Sequence, residues 1–215
     1  MSTCYIIGLF IIIKNKMDFY ETYSAEFSKS RYKVWPQVRA FVDALPIGAK
    51  VLEIGCGNGK NMCVRKDLIF IGIEPSAALC DTCTTRGLNV VQADASTLPF
   101  RDGSFDAVIM IAVLHHISPN LQYKAMFEIQ RVLKPYGKAL ITNWAVEQPL
   151  ASRRKFIPGL NYVIWKGKEE SPLRYWVMNK AMTIDFICKL PHHLNCKECE
   201  LISGNWSFIF EKVLP

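Results

Sequence analysis

The segment KVLEIGCGNGK at residues 50–60 constrains the fold of this chain more than any other part of it. Its apolar run through Ile54 is typical of a parallel strand that is buried on both faces. Gly55, Gly57 and Gly59 follow at a spacing of two, where the chain has to turn from the strand into the next element. The segment therefore predicts a strand–loop–helix unit of an α/β protein, with a ligand site at the loop.

The glycine spacing separates three kinds of nucleotide loop. A nicotinamide fingerprint, GxGxxG, needs glycine at position 60, where this chain has Lys60. A phosphate-binding loop needs Ser or Thr directly after its GK pair, and Asn61 stands there instead. What remains is an acidic residue, Glu53, leading three glycines at alternate positions.

This arrangement resembles motif I of the class I S-adenosylmethionine (SAM) methyltransferases. SAM carries a sulfonium and an ammonium group and no pyrophosphate, so a carboxylate at Glu53 suits it. Side chains at Gly55, Gly57 and Gly59 would block close approach of the backbone to the ligand. The resemblance implies SAM as the cofactor.

Two further segments agree with this resemblance. LIFIGIEPS at residues 68–76 ends at Glu74, which is expected to accept from the ribose hydroxyls. LNVVQADASTLPF at residues 88–100 ends at Asp94, which the resemblance assigns to the adenine amino group, with Ala95 donating to the ring. The expected cofactor-binding residues are Glu53, Gly55, Cys56, Gly57, Gly59, Glu74, Pro75, Asp94, Ala95 and Ile111.

The whole chain is predicted to be one α/β domain. A strand is expected at 104–117, and residues 126–145 are interpreted as an amphipathic helix, a turn and a fifth strand. Residues 196–213 are interpreted as a terminal hairpin. The resemblance implies a doubly wound, Rossmann-like sheet of seven strands in the order 3-2-1-4-5-7-6. Residues 17–215 form the expected domain, and residues 1–16 read as an extension that precedes a natural start at Met17.

The methyl acceptor must be inferred from segments outside the cofactor motifs. SRYKVWP at residues 30–36, IAVLHHI at 111–117 and NWAVEQPLASRRKF at 143–156 resemble the eukaryotic tRNA carboxymethyluridine methyltransferases. Those enzymes esterify the carboxymethyl group of a modified wobble uridine in the anticodon loop. Val34, the segment 156–185 and a shortened basic insert depart from the family pattern.

The acceptor chemistry fits the residues in these segments. A carboxylate is already an anion at neutral pH, so its methylation needs alignment and cations rather than a strong base. We expect Arg31, His116, Trp144 and Arg153 to act at the acceptor. The RNA is expected to contact Tyr32, Lys33, Trp35, His115 and Arg154, with aromatic rings stacking a splayed-out base. The plain alternatives are core packing for Trp35 and solvated surface charge for the arginines.

The charge distribution is consistent with a polyanionic partner. Of the net charge of +7, residues 1–50 carry seven basic against four acidic side chains, and residues 151–200 carry nine against five. Residues 51–150 carry nine of each sign. Basic flanks around a neutral centre favour nucleic acid as the partner, although ordinary solubilising charge would look similar.

The eight cysteines are typical of a reduced protein of the cytoplasm or nucleus rather than a secreted one. Two CxxC pairs are present, but Cys196 and Cys199 lie on a predicted strand and were expected to face opposite sides, so no metal site is predicted. The apolar run at residues 4–13 is too short to span a membrane, and no membrane association is predicted.

The resemblance also implies a protein partner, a small zinc-binding activator of several methyltransferases. The predicted edge strand near residues 89–94 would be open to strand addition by such a partner, giving a heterodimer. Two other functions stay open at this point: a SAM-dependent methyltransferase for a small molecule, and a non-catalytic SAM-fold subunit that binds RNA.

Overall fold

The computed structural model describes residues 19–164 and 173–214, and within them the chain forms five helices and nine strands. The helices are α1 (19–30), α2 (Pro36–Asp43), α3 (Ala77–Thr85), α4 (Pro119–Val132) and α5 (Lys180–Cys188). The strands are β1 (Lys50–Ile54), β2 (Ile69–Glu74), β3 (Val90–Gln92), β4 (Phe105–Met110), β5 (Leu133–Trp144), β6 (Gly159–Val163), β7 (Leu173–Val177), β8 (Leu194–Ile202) and β9 (Asn205–Lys212). Short 3₁₀ helices cover Asn61–Cys63 and Leu114–His116.

Seven of these strands form one mixed sheet in the order β3-β2-β1-β4-β5-β9-β8. The first five run parallel to one another, and β9 and β8 join as an antiparallel hairpin. Strands β6 and β7 form a separate antiparallel pair. The doubly wound sheet predicted from the sequence is confirmed. If β6 and β7 are left out of the count, β8 and β9 become the sixth and seventh strands. The order is then the predicted 3-2-1-4-5-7-6.

The sheet is buried on both faces, which explains the unbroken apolar runs of its central strands. Leu52 and Ile54 of β1 pack on one side of the sheet with α4, while Val51 packs on the other side with α2. Side chains of successive strand residues point to opposite faces, so a single strand contributes to both layers of the core. The predicted alternation of strands and helices therefore corresponds to helices on both faces of the sheet.

Strand β4 is shorter than the sequence suggested. It ends at Met110, and the backbone turns at Ala112, which has a φ of 57° and whose N–H donates to Thr142 Oγ1 at 2.8 Å. A non-glycine residue with this φ is uncommon and is retained when the surroundings fix it. The turn ends the strand at the carboxyl edge of the sheet, where a doubly wound fold binds its ligand.

The start of β5 contains an irregular loop at the KPYG segment. Tyr136 takes the left-handed conformation, with a φ of 63° and an exposed side chain. The register with β4 shifts here, since Phe105 pairs with Leu133 but Ala107 pairs with Lys138. The conformation of Tyr136 is thus a local feature of backbone geometry.

Strand β8 corrects one expectation about the cysteines. A β-bulge lies between Cys196 and Glu198, so that Cys196 pairs with Phe210 and Cys199 pairs with Phe208. Directly paired residues share a face, and residues two apart in the partner strand do too, so both cysteines lie on one face. The prediction that they face opposite sides was wrong, because the bulge shifts the alternation by one residue.

The described residues contain neither a cluster of metal-binding side chains nor a membrane-spanning helix. Within 19–164 and 173–214, no three His, Cys, Asp or Glu side chains come together as a metal site. None of the helices in these ranges is long and apolar enough to cross a membrane. The proposed extension at residues 1–16 lies outside the described residues.

Candidate functional site

A cavity of about 490 Å³ lies at the carboxyl edge of the parallel strands. Its floor is the glycine loop after β1 and the ends of β2 and β4, and α1 with the following segment 31–35 covers one side. Trp144 at the end of β5 and Tyr175 on β7 close the opposite side. The site therefore joins the cofactor motifs to the segments that the sequence assigned to the acceptor.

Glu53 is the acid deepest in this site. Its side chain is 2% exposed, and its Oε1 accepts from the Asn61 amide at 2.7 Å. Its Oε2 is buried and accepts no hydrogen bond from the described residues. Burial raises the pKa of Glu53 to about 7. An orphaned carboxylate oxygen in a cavity wall suits a cationic ligand group, so this residue fits the ammonium and sulfonium of SAM.

The three glycines of the loop differ in what they permit. All have positive φ, but a side chain at Gly55 would collide with Val113, and one at Gly59 would collide with Leu88. Only at Gly57 would a side chain point at the roof of the cavity, 3.5 Å from Phe27. Close approach to a ligand was expected for all three glycines, but packing within the protein explains Gly55 and Gly59.

Glu74 connects the two loops that form the floor. One carboxylate oxygen accepts from the Gly57 N–H at 2.9 Å, and the other accepts from the Ser76 N–H at 3.1 Å. The residue is buried and borders the cavity beside Pro75. Its carboxylate is thus held in place by the backbone at the position expected for an acceptor of ribose hydroxyls.

Four predicted site residues do not border the cavity. Gly59 is enclosed by packing within the protein, and Arg153 is exposed next to Arg154 in the sequence. Asp94 is exposed and accepts from both the N–H and the hydroxyl of Ser96, at 2.8 and 2.6 Å. Ala95 is buried in the part of the core that lies on the α4 side of the sheet. The other predicted cofactor residues all border the cavity.

The segment after α1 is attached to the glycine loop by Asn58. The Asn58 amide donates to the carbonyls of Ser28 and Arg31, at 3.2 and 3.0 Å. These carbonyls end α1, where helices leave acceptors without an internal partner. The loop that forms the cofactor side of the cavity therefore also fixes the helix that covers it.

The side chains of SRYKVWP divide between the cavity and the core. Arg31 borders the cavity with its guanidinium 5.3 Å from the ring centroid of Phe27. Tyr32 is 72% exposed, with the Lys33 ammonium 5.8 Å from its ring. Trp35 borders the cavity but also packs against the core beside α2. Of these aromatic rings, Tyr32 has the face open for an incoming base.

The ring of Trp144 is in contact with other side chains of the protein. Its ring is nearly parallel to His115 and to Phe156, with centroids 4.6 and 5.1 Å away. The Arg154 guanidinium lies 4.8 Å from the same ring. The stacking surfaces of Trp144 are therefore occupied by the protein, which argues against its stacking a base. Its place in the wall instead holds Arg154 at the cavity.

Both histidines of the HHI segment, which were expected at the acceptor and at the RNA, border the cavity. His115 is 1% exposed, and its Nδ1 accepts from the Trp144 N–H at 3.2 Å. His116 Nε2 lies 3.4 Å from the Tyr20 hydroxyl. The reason is the early end of β4, which puts both residues on a short 3₁₀ helix rather than on a strand.

Several residues of the cavity were not predicted. They lie in α1, in the loop after β1, in the turn after β4 and in β7: Tyr20, Phe27, Asn58, Lys60, Asn61, Ala112, Val113 and Tyr175. The sequence offered a signal for those beside the glycines, since they adjoin a recognised loop. It offered none for Tyr20 and Tyr175, which long-range packing brings together.

Comparison with known proteins supports the same type of domain. Residues 52–141 match the methyltransferase domain family. A tRNA (carboxymethyluridine(34)-5-O)-methyltransferase of Arabidopsis thaliana is 45% identical over 130 residues, covering 60% of this chain and 32% of the relative. One of the same name from Schizosaccharomyces pombe is 38% identical over 150 residues, covering 68% of this chain and 65% of the relative. The chain spans a third or less of the first four relatives' lengths.

Solved structures share the fold at low sequence identity. A SAM-dependent methyltransferase of Methanosarcina mazei aligns with a TM-score of 0.67 at 18% identity, covering 85% of this chain and all of the other. A chain from the complex between the Haloferax volcanii Trm112 methyltransferase activator and a methyltransferase aligns with a TM-score of 0.68 at 15% identity, covering 91% of this chain and 98% of the other. At these identities the likeness establishes the fold alone.

Proposed function

Since this chain contains a class I SAM-dependent methyltransferase domain related to the tRNA carboxymethyluridine methyltransferases, we propose that it methylates the carboxymethyl group of a wobble uridine in tRNA. The reaction transfers a methyl group to a carboxylate oxygen and gives a methyl ester. We propose further that it acts in the cytoplasm or nucleus, on the anticodon loop.

The observation that carries this proposal is the composition of the cavity. Its floor holds the buried acids Glu53 and Glu74, with Lys60 near Glu53. Its rim holds the cations Arg31, Lys33 and Arg154. A cationic cofactor suits the acids, whereas an anionic acceptor suits the rim. A cavity with opposite charges at its two ends fits a reaction between a sulfonium and a carboxylate better than one with an apolar acceptor.

The cofactor would be held by the residues of the floor. Glu53 would bind its cationic end through Oε2, Glu74 would accept from its ribose hydroxyls, and Pro75 with Ile111 would pack against its apolar parts. Asp94 and Ala95, although outside the cavity lining, stay assigned to the adenine by resemblance. When bound, SAM supplies an electrophilic methyl group on its sulfonium.

The acceptor end of the cavity needs to hold and orient an anion rather than remove a proton. A carboxylate is ionised at neutral pH, so the residues around it contribute by binding, by alignment and by excluding water. Arg31 and Arg154 can bind a carboxylate or a phosphate through a planar pair of donors. The exposed ring of Tyr32 can stack on an unpaired base, and Arg153 can contact the RNA backbone outside the cavity.

We also propose the small zinc-binding activator as a partner at strand β3. This strand has three residues, lies at the edge of the sheet and exposes Val91 and Gln92. An uncovered edge favours strand addition. The Haloferax volcanii neighbour is in a complex with a Trm112 methyltransferase activator, which supports a partner of this kind. Co-expression with such an activator is expected to raise the soluble yield, and full solubility and activity of the chain alone would count against it.

The test is a methylation assay with bulk tRNA from cells that lack the activity. The chain, co-purified with the activator, is incubated with SAM and the tRNA, and the wobble nucleosides are quantified by mass spectrometry. Conversion of carboxymethyluridine to its methyl ester is expected, with loss in Arg31→Ala and in Asp94→Ala. Lys124→Ala, an exposed cation on α4, is the matched control and should keep activity.

The same assay separates the two rival functions. SAM binding without methylation of any nucleoside would reject the tRNA assignment and direct the search to small acids. Tight tRNA binding with neither SAM binding nor methyl transfer would favour a non-catalytic subunit. If both Arg31→Ala and Arg153→Ala keep the wild-type affinity for tRNA, the proposal that these two cations contact the RNA is wrong.

A further inference from the structure

Two tyrosines that no motif identified meet at the acceptor end of the cavity. Tyr20 comes from α1 and Tyr175 from β7, and both border the cavity beside His116. The Tyr20 hydroxyl lies 3.4 Å from His116 Nε2, and the ring centroid of His116 lies 4.6 Å from that of Tyr175. The cluster thus joins three separate elements through one polar contact and one ring contact.

These hydroxyls stay protonated under all ordinary conditions. Burial raises the pKa of Tyr20 well above its usual value and does the same for Tyr175. Arg31 acts on both in the opposite direction, which places its guanidinium in electrostatic range of each ring. A neutral phenol can donate one proton and accept others, so the cluster can present hydroxyl donors beside a cation.

The Tyr20 oxygen can accept a hydrogen bond from His116. If His116 carries its proton on Nε2, it donates to the Tyr20 oxygen. The Tyr175 hydroxyl then keeps its own proton for a group in the cavity. Arg31, which borders the same cavity, is also only a donor.

We propose that Tyr175, oriented by Tyr20 and His116, forms with Arg31 a subsite that binds the acceptor carboxylate and selects it over the corresponding carboxamide. This inference rests on the proposed function and adds to it the group that is recognised. Tyr175 and Arg31 contact the acceptor directly. Tyr20 and His116 act as positioning residues.

The selectivity has a simple physical origin. A carboxylate offers two oxygens that accept hydrogen bonds, whereas a carboxamide replaces one of them with an NH₂ group that only donates. Against a wall of donors, the NH₂ group would leave buried polar groups without partners, which is the costly case in recognition. Loss of the negative charge also removes the attraction to Arg31.

The experiment compares two synthetic anticodon stem-loops, one with 5-carboxymethyluridine and one with 5-carbamoylmethyluridine at the wobble position. Their dissociation constants are measured by fluorescence anisotropy for the chain with its activator, together with kcat and KM for the acid. The variants are Tyr175→Phe and Tyr20→Phe, which remove only hydroxyls. Tyr136→Phe, an exposed tyrosine distant in the fold, is the matched control.

The wild type should bind the acid stem-loop at least about tenfold more tightly than the amide. Tyr175→Phe should reduce this ratio by about tenfold and raise KM for the acid more than it lowers kcat. Tyr20→Phe should reduce the ratio less, because it disturbs only the orientation of Tyr175. The control should keep the wild-type ratio, and circular dichroism should report the same fold for every variant.

Two outcomes would overturn the inference while leaving the proposed function intact. One is a wild type that methylates the acid but binds acid and amide equally well. The other is a Tyr175→Phe variant that keeps the wild-type ratio of dissociation constants. A wild type that methylates neither stem-loop nor any tRNA would instead remove the proposed function, and with it the premise of the subsite.

Discussion

Glu53 shows how one buried side chain can couple cofactor binding to pH. In the free protein its charge is disfavoured by burial, and Asn61 supplies the one hydrogen bond that its carboxylate accepts from the described residues. A cation bound at Oε2 would reverse this balance, since an adjacent positive charge favours the ionised form. Binding of SAM should therefore release a proton from Glu53 near neutral pH.

We predict that the affinity for SAM rises with pH through about 7, the pKa of Glu53 in the free protein. The ionised fraction of a group with that pKa is about tenfold greater at pH 8 than at pH 6, so the dissociation constant should fall about tenfold over this range. Calorimetry in two buffers with different ionisation enthalpies would count the protons released. Glu53→Gln keeps the contact with Asn61 and should bind weakly with no pH dependence, whereas a flat profile in the wild type would contradict the assignment.

The same residue affects stability with a defined sign. Because the folded protein raises the pKa of Glu53 from 4.5 to about 7, it binds this proton more tightly than the unfolded chain does. Stability of the free protein should thus decrease as pH rises between these values, and stay lower above them. The Glu53→Gln variant should lose this decline in a urea titration series and be more stable at pH 8.

Tyr136 gives a test of backbone strain at the scale of one residue. Its left-handed conformation costs about 1 kcal/mol for a residue with a Cβ atom, and its exposed ring contributes little packing. Tyr136→Gly should therefore raise the free energy of unfolding by roughly 1 kcal/mol. Tyr136→Ala keeps the strain and should change stability by less than about half of that. Equal effects of the two substitutions in chemical denaturation would reject the explanation.

Individual residues also show what the sequence could predict. Glu53, Gly57 and Glu74 were identified because their chemistry is tied to a local pattern of strand, loop and acid. Tyr20 and Tyr175 were not, because their meeting depends on how α1 and the β6–β7 pair fold over the sheet. Trp144 was identified as a site residue, but nothing local indicates that His115 and Phe156 lie against its ring.

At the scale of elements, α1 is attached to the cofactor-binding unit at both ends. The Glu21 carboxylate accepts from the N–H groups of Ala77 and Ala78 at the start of α3, and Asn58 donates to the carbonyls at the end of α1. A negative charge at the N-terminus of a helix is favourable, and capped carbonyls lower the cost of ending one. These contacts make the cover of the cavity dependent on the loop beneath it.

We predict that Asn58→Ala loosens the end of α1 without unfolding the sheet. The substitution leaves two partly buried carbonyls without their donor, at a cost of about 1–2 kcal/mol. Hydrogen exchange of the amides in residues 24–31 should become faster, while exchange in β1 and β4 should change little. Asn205→Ala, which also removes donors to two carbonyls, at Ile202 and Ser203, is the matched control and should leave exchange of α1 unchanged.

Helices and strands were predicted well where apolar runs and turn residues alternate regularly along the sequence. They were predicted poorly where the backbone is irregular. The parallel strands and the terminal hairpin follow from apolar runs and turn residues, and the structure confirms them. The early end of β4 at Ala112 and the bulge at Cys196 were missed, because each depends on a single backbone irregularity. The β6–β7 pair lies in the segment that departed from the family pattern, so no resemblance could indicate it.

At the scale of the whole molecule, the basic flanks of the sequence converge on one rim. Lys33 comes from the segment after α1 and Arg154 from the loop after β5, and both border the same cavity. Arg153 and Lys155 are exposed beside Arg154. The charge excess of residues 1–50 and 151–200 is thus concentrated in part at the proposed acceptor entrance, while the central residues 51–150 are neutral.

This convergence predicts how tRNA binding responds to salt. Each cation that contacts a phosphate contributes slightly less than one unit to the slope of log K against log salt concentration. A triple variant Lys33→Gln, Arg153→Gln, Lys155→Gln should therefore weaken binding and reduce this slope by about 2–3. A second triple variant of exposed cations in the neutral centre, Lys66→Gln, Arg101→Gln, Lys124→Gln, carries the same change in net charge. It should keep a slope near that of the wild type, because its cations lie away from the rim. Equal losses in the two variants would show that net charge, rather than its position, accounts for the affinity, whereas SAM binding should be unchanged in both.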